Sequence, residues 1–253
     1  MSTMNRPYAT RAEYYAKHRP RYPAELFQIL KKECGLSPNW VIADVGSGTG
    51  LLTELFLENG NAAFGVEPDH AMREAGERYL HAYSQFHSVT GTAEDTTLAE
   101  NCADMVTVGQ AFHWFDLAQA KAEFRRILRP DGWVAVVWYQ PAHDGSAFLR
   151  AESEAMGTYM RASQVPPPRS KLDDATLSWF LGEERSDIRA VESFSTLDLE
   201  GVKGAALSSA YAPEPGGAAF EAMMTELTEL FEQHQRDGQV HIPITFRLCV
   251  GRI

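Results

Sequence analysis

A short apolar run that ends in a cluster of glycines constrains this chain more than any other segment. Residues 40–45 are typical of a buried strand, which breaks at Gly46, Gly48 and Gly50, and residues 51–56 continue with an apolar helical pattern. Glycines at a strand-to-helix turn let the backbone approach a ligand, and the amides at the helix N-terminus attract a negative group. The segment therefore predicts a site for a nucleotide or a carboxylate-bearing nucleoside.

The spacing of the glycines separates the candidate ligands. Dinucleotide-binding folds place a glycine or alanine three residues after the second glycine, and here that position is Leu51. The sequence also lacks the Gly-Lys-Ser/Thr of a phosphate-binding loop. An NAD-linked oxidoreductase remains an alternative, but Leu51 opposes it.

Apolar runs alternate with segments of helical period along the chain, which is typical of strand and crossover-helix units on a parallel sheet. After the first strand, further strands are predicted at 62–66, 86–90, 103–109, 133–139, 194–199 and 240–250. Helices are predicted around 23–34, 51–58, 69–80, 116–128, 148–160 and 220–231, with Asp69 and Asp116 as N-caps, a turn at 129–132 and a short segment near 177–181. The fold class is therefore α/β.

Composition narrows the choice of partners. The 253 residues include 23 Lys and Arg against 34 Asp and Glu, a net charge of −11, which disfavours nucleic acid as a substrate. The three cysteines are far apart and support neither a disulfide framework nor a metal site. The N-terminus has no apolar leader and no stretch is long enough to span a membrane, so a cytoplasmic location is expected.

Two acidic positions extend the predicted nucleoside site. Glu67 ends the second strand, where a carboxylate can accept hydrogen bonds from ribose hydroxyls. Ala93 and Glu94 follow the third strand, where a backbone amide and a carboxylate could bind an adenine edge. Taken singly, Glu67 could only cap a turn and Glu94 could lie in a solvated loop.

Taken together, these residues resemble the class I S-adenosylmethionine-dependent methyltransferases. The matching segments are 44–50, 66–69 with Met72, 91–94 and 128–132. Residues 109–116 and 15–23 resemble the small-molecule branch of the methyltransferase type 11 family, which includes trans-aconitate and quinone-biosynthesis methyltransferases. The resemblance implies a Rossmann-like, doubly wound sheet of seven strands, mostly parallel with an antiparallel C-terminal strand. One domain over 1–253 is expected, with an N-terminal helical segment at 7–37 and an insertion or lid at about 144–187.

The resemblance also implies S-adenosyl-L-methionine as the cofactor. The glycine loop would hold its methionine portion, Glu67 its ribose and Glu94 its adenine, while Gln110 would lie beside the transferable methyl. The full set of implied cofactor-binding residues is Asp44, Gly46, Ser47, Gly48, Gly50, Glu67, Pro68, Met72, Ala93, Glu94, Gln110 and Ala111.

Methyl transfer is an in-line displacement that needs alignment more than any particular catalytic residue. A carboxylate acceptor would need only an arginine to orient it, for which Arg19 or Arg21 is a candidate, with Tyr15 nearby in sequence. A hydroxyl or acidic-carbon acceptor would gain from a base, and His113 is the best placed. His113 could instead only pack a helix start. We expect a small-molecule acceptor; the alternative function is a cofactor-binding protein with lost or altered chemistry.

Overall fold

A computed structural model describes residues 11–163, 165, 169, 172–182 and 189–253. The strands are β1 (Val41–Val45), β2 (Ala62–Val66), β3 (Phe86–Val89), β4 (Ala103–Gly109), β5 (Leu128–Pro141), β6 (Arg189–Leu197) and β7 (Val240–Gly251). The helices are α1 (Ala12–His18), α2 (Ala24–Cys34), α3 (Leu51–Glu58), α4 (His70–Tyr79), α5 (Leu117–Ile127), α6 (Ala147–Ala162), α7 (Asp174–Leu181), α8 (Leu199–Leu207) and α9 (Ala218–His234). In the described part of the chain, no helix has the length and apolar character needed to cross a membrane.

The strands form one seven-stranded sheet in the order β3-β2-β1-β4-β5-β7-β6. The pairs β3-β2, β2-β1, β1-β4 and β4-β5 are parallel, and the C-terminal strands are antiparallel, as expected of the Rossmann-like fold. The chain runs outward from β1 to β3 and then returns to the other side of β1 as β4. Ligands of such sheets bind outside the carboxyl ends of the strands where this reversal occurs. The order therefore directs attention to the ends of β1 and β4.

Two elements differ from the sequence predictions. The predicted turn at 129–132 lies inside β5, which begins at Leu128 and shifts its register against β4, with Asp131 at a φ of 65°. The sixth strand is earlier than predicted and ends at Leu197, because Asp198 caps α8 by accepting the Gly201 amide. Helix α8 was not predicted, since glycines within it lower its helix propensity, and tertiary packing overrides that preference.

Part of two predicted segments cannot be compared with the structure. Residues 7–10 of the N-terminal segment lie outside the described residues. So do residues 164, 166–168, 170–171 and 183–188 of the predicted insertion. The described part of that insertion contains α6 and α7.

The chain divides into two compact units. The first, which we call the sheet unit, contains the described residues that fall within Arg21–Tyr139, Pro167–Val191 and Phe246–Ile253. Its core packs the side chains of β1, β4 and β5 against α5 and α7, with Phe124 and Phe180 fully buried. The second, the helical unit, contains the described residues that fall within Met1–Pro20, Gln140–Pro166 and Glu192–Thr245. Its separate core joins α6, α8 and α9 around Met223.

Candidate functional site

The glycine loop between β1 and α3 has a backbone that favours glycine. Gly46 and Gly48 have φ values of 72° and 58°, in the left-handed region where side chains are disfavoured. A Cβ on Gly46 would lie 2.5 Å from the Cβ of Ala111, so the loop touches a residue two positions after the end of β4. A Cβ on Gly48 would lie 3.2 Å from the Met72 methyl carbon. The predicted residues Gly46 and Ala111, and Gly48 and Met72, thus form two contacting pairs.

The remaining loop residues close the turn. The Gly50 amide donates to the Ser47 carbonyl at 2.8 Å. The Ser47 hydroxyl lies against Gly65 of β2, where an added Cβ would be 3.1 Å away. The Thr49 Oγ1 is buried and has no hydrogen-bond partner within the part of the chain that the structure describes. An orphaned hydroxyl beside a glycine cradle fits a loop that gains a polar ligand.

Glu67 joins the loop to the start of α4. One carboxylate oxygen accepts the Gly48 amide at 3.0 Å, and the other accepts the Asp69 amide at 2.7 Å. Asp69 in turn caps α4 by accepting the amides of Ala71 and Met72, each at 3.0 Å, which confirms the predicted cap. Pro68 links the two acids. Glu67, Gly48 and Met72, predicted separately, therefore surround one position at the carboxyl ends of β1 and β2.

Asp44 lies beneath the loop with no exposed surface. Its two carboxylate oxygens accept the hydroxyls of Thr53 at 2.6 Å and Thr107 at 2.9 Å. Burial raises the pKa of Asp44 to about 6, and these hydrogen bonds oppose the shift. The carboxylate thus ties β1 to α3 and β4. Thr53 and Thr107 were missed by sequence reasoning. The sheet register pairs Asp44 with Thr107, and Thr53 reaches the carboxylate from the first turn of α3.

The loop after β3 reaches the start of α5. Ala93 is buried, and one Glu94 oxygen accepts the Asp116 amide at 2.8 Å. Asp116 caps α5, as predicted. It also lines a cavity of about 450 Å³ together with Phe115, Leu117 and Arg169. The predicted adenine loop is thereby connected to a cavity with one aromatic wall, which no sequence motif indicated.

The residues after β4 include a strained backbone position. Gln110 has a φ of 55°, which is rare for a side-chain-bearing residue and typical of functional sites. Its side-chain amide donates to the Tyr139 carbonyl at 3.0 Å. His113 lies in a short 3-10 turn and is half-buried, and this burial lowers its pKa. A lowered pKa favours the neutral imidazole, which is the form that a general base needs.

Tyr15 and Arg19 belong to the helical unit. The Arg19 guanidinium lies 5.0 Å from the Tyr15 ring centroid and donates to the Ser208 carbonyl at 3.3 Å. Glu152 on α6 interacts electrostatically with His143 and Arg19, although burial raises the pKa of Glu152 above its ordinary value. The structure thus brings the two predicted acceptor contacts together and adds Glu152, which no sequence signal pointed to.

No group of three or more His, Cys, Asp or Glu side chains that could hold a metal ion occurs among the described residues. The three cysteines are free thiols.

Comparison with known proteins agrees with this geometry. Residues 43–136 match the family model described as a methyltransferase domain. An uncharacterized methyltransferase of Mycobacterium tuberculosis is 36% identical over 124 residues, 49% of this chain and 48% of that protein. A protein of Saccharomyces cerevisiae named as a probable S-adenosylmethionine-dependent methyltransferase is 32% identical over 133 residues, 50% of this chain and 44% of that protein. The matches thus span about half the length of these curated relatives.

A solved structure shows the same fold over most of the chain. A proposed type II methyltransferase from Anaeromyxobacter dehalogenans superposes with a TM-score of 0.65 and 23% identity, covering 92% of this chain and 97% of that one.

Proposed function

We propose that this chain is a class I methyltransferase of the type 11 family and that it transfers a methyl group from S-adenosyl-L-methionine to a small-molecule acceptor. The observation that supports this best is the hydrogen bond between Glu67 and the Gly48 amide. It places a carboxylate beside a glycine loop at the carboxyl ends of adjacent parallel strands, which is where a nucleoside is bound in such folds.

The residues present fit the cofactor. The loop at Gly46, Ser47, Gly48 and Gly50 would hold its methionine portion, and the buried Thr49 hydroxyl offers a further polar group there. Glu67 would accept hydrogen bonds from the ribose, with Pro68 and Met72 beside the nucleoside. Ala93 and Glu94 would hold the adenine, and Gln110 and Ala111 would lie at the end of β4. Asp44 would support the loop from below through Thr53. When bound, the cofactor supplies an electrophilic methyl group on a sulfonium.

The chemistry of the acceptor determines which catalytic groups the protein must supply. A carboxylate is already nucleophilic, and an arginine such as Arg19 suffices to orient it. A hydroxyl or acidic carbon requires proton removal, for which neutral His113 is the candidate base, taking the proton on its imidazole. Contact of Tyr15 and Arg19 with the acceptor stays a prediction. So do the single-domain organisation, a cytoplasmic location and the absence of nucleic acid from the reaction.

Calorimetric titration tests the cofactor assignment. Full-length protein is titrated with S-adenosylhomocysteine and, separately, with NADH. We expect heat of binding only with S-adenosylhomocysteine, because Leu51 replaces the third glycine of a dinucleotide loop. Gly48→Val should abolish the heat, since the left-handed backbone disfavours valine and its branched side chain would collide with Met72. Binding of NADH alone would overturn the proposal.

A screen with labelled cofactor tests the reaction. Purified protein is incubated with carboxylic acids, phenols and amines, and transfer of label is measured. Transfer to one class identifies the acceptor chemistry. Binding of S-adenosylhomocysteine without transfer to any member would favour the alternative, a cofactor-binding protein whose chemistry is lost or altered.

A further inference from the structure

Tyr22, just before α2, places its hydroxyl at the end of β4 within the sheet unit. A Cβ on Gly109, the last residue of β4, would lie 2.6 Å from the Tyr22 hydroxyl and 2.9 Å from a methyl of Leu52. Leu52 is in the first turn of α3, two residues after the glycine loop. The hydroxyl therefore lies where the end of β4 meets the start of α3.

This position coincides with the point at which the strand order reverses. The reversal falls between β1 and β4, and the crevice outside their carboxyl ends is the general binding position in such sheets. The glycine loop continues β1 into this region, and Gly109 ends β4 beside it. Two glycines at these strand ends are approached closely by other residues. Gly46, after β1, lies against Ala111, and Gly109, at the end of β4, lies against Tyr22.

The Tyr22 ring packs against an aromatic side chain of β7. Its centroid lies 5.7 Å from that of Phe246, which is fully buried and itself packs 5.3 Å from the ring of Tyr139. Pro23 follows directly and restricts the Tyr22 backbone to extended conformations. A phenol held in this way offers a hydrogen bond without a large cost in side-chain entropy, because its ring is already ordered.

We propose that the Tyr22 hydroxyl forms a hydrogen bond with the bound methyl donor at the end of β4. This inference rests on the proposed function. The donor is favoured over the acceptor because the hydroxyl adjoins the start of α3, which directly follows the loop assigned to the cofactor.

Calorimetry with S-adenosylhomocysteine as the probe tests this assignment in the full chain. Tyr22→Phe keeps the ring and removes only the hydroxyl, so far-UV circular dichroism and the unfolding temperature should stay near those of the wild type. Loss of one net hydrogen bond should raise the dissociation constant about threefold to tenfold. Tyr22→Leu, which also removes the ring, should raise it further. Tyr83→Phe, a half-buried tyrosine after α4 in the same unit, is the matched control and should leave it unchanged.

The outcomes separate this inference from the proposed function. An unchanged dissociation constant in Tyr22→Phe overturns the assignment, whatever Tyr22→Leu shows, while leaving the proposed function intact. The same result with a raised KM for the acceptor would place Tyr22 on the acceptor and also overturn the donor contact. If wild-type protein gives no heat with S-adenosylhomocysteine, the proposed function fails, and the Tyr22 assignment fails with it.

Discussion

Glu67 has a structural role in the glycine loop and a proposed role in ligand binding, and one substitution can distinguish the two. Its oxygens accept backbone amides from the glycine loop and from the start of α4, and the proposed ribose contact uses the same carboxylate. Glu67→Gln replaces one acceptor oxygen with an NH2 group that faces a backbone donor. We expect the affinity for S-adenosylhomocysteine, measured by calorimetry, to fall at least tenfold, and the free energy of unfolding to fall by about 1–2 kcal/mol.

Glu100→Gln is the control for this variant, since Glu100 is exposed in the loop before β4. It should change neither quantity. Wild-type affinity in Glu67→Gln would show that the carboxylate supports only the loop and not the ligand.

Asp44 gives the stability of the protein a specific dependence on pH. Its ordinary pKa of 3.8 is raised to about 6 by burial, so between these values the folded protein binds more protons than the unfolded chain. The free energy of unfolding must therefore fall as pH rises through this window, and the penalty is complete above pH 6. A shift of this size corresponds to about 3 kcal/mol at most.

Asp44→Asn removes the titration while keeping the side-chain shape. Urea unfolding of both proteins between about pH 4 and pH 7 should show the wild type losing stability relative to the variant as pH rises. The comparison cancels the contributions of the other acids. A constant difference across the window would mean that Asp44 stays ionised in the folded protein.

At the scale of elements, the start of α4 links helix stability to the site. Asp69 caps the helix through the amides of Ala71 and Met72, and Met72 lies against Gly48. Asp69→Ala should lower the free energy of unfolding by about 1 kcal/mol, as measured by chemical denaturation. Asp69→Asn keeps an acceptor oxygen at the cap and should stay close to the wild type. Equal losses in the two variants would assign the effect to the charge and not to the cap.

The elements around the glycine loop also show which structural features can be predicted from the local sequence. The caps at Asp69 and Asp116 were predicted correctly, because a cap depends on residues two or three positions away. The beginning of β5 was not, since Leu128 becomes part of the strand only by pairing with Ala103 of β4. Turn-forming residues at 129–132 are accommodated there by an irregular register.

For the molecule as a whole, cofactor binding should slow backbone hydrogen exchange in particular segments. A ligand present at 100 times its dissociation constant stabilises the folded state by about 2.7 kcal/mol. With S-adenosylhomocysteine we expect slower hydrogen exchange in peptides covering 43–50, 66–72, 91–94 and 109–117, all within the sheet unit. Mass spectrometry of the full chain measures this. Protection confined to the helical unit would contradict the proposed cofactor site.

The sequence by itself determined the α/β alternation, the glycine loop and the acids that follow β2 and β3. These features depend on short-range rules: hydrophobic period, backbone conformation at glycine, and capping within one turn. For this reason, β2 and β4 were predicted with the bounds that the structure has.

Only the tertiary structure decided which distant residues meet. Asp44 contacts Thr107, and Gly46 contacts Ala111, because strand order and register place β4 beside β1. Gly109 contacts Tyr22 because the segment before α2 packs against the end of β4. These contacts join residues more than sixty positions apart in the chain. Parallel pairing across such separations is set by the packing of whole elements, which local sequence patterns do not encode.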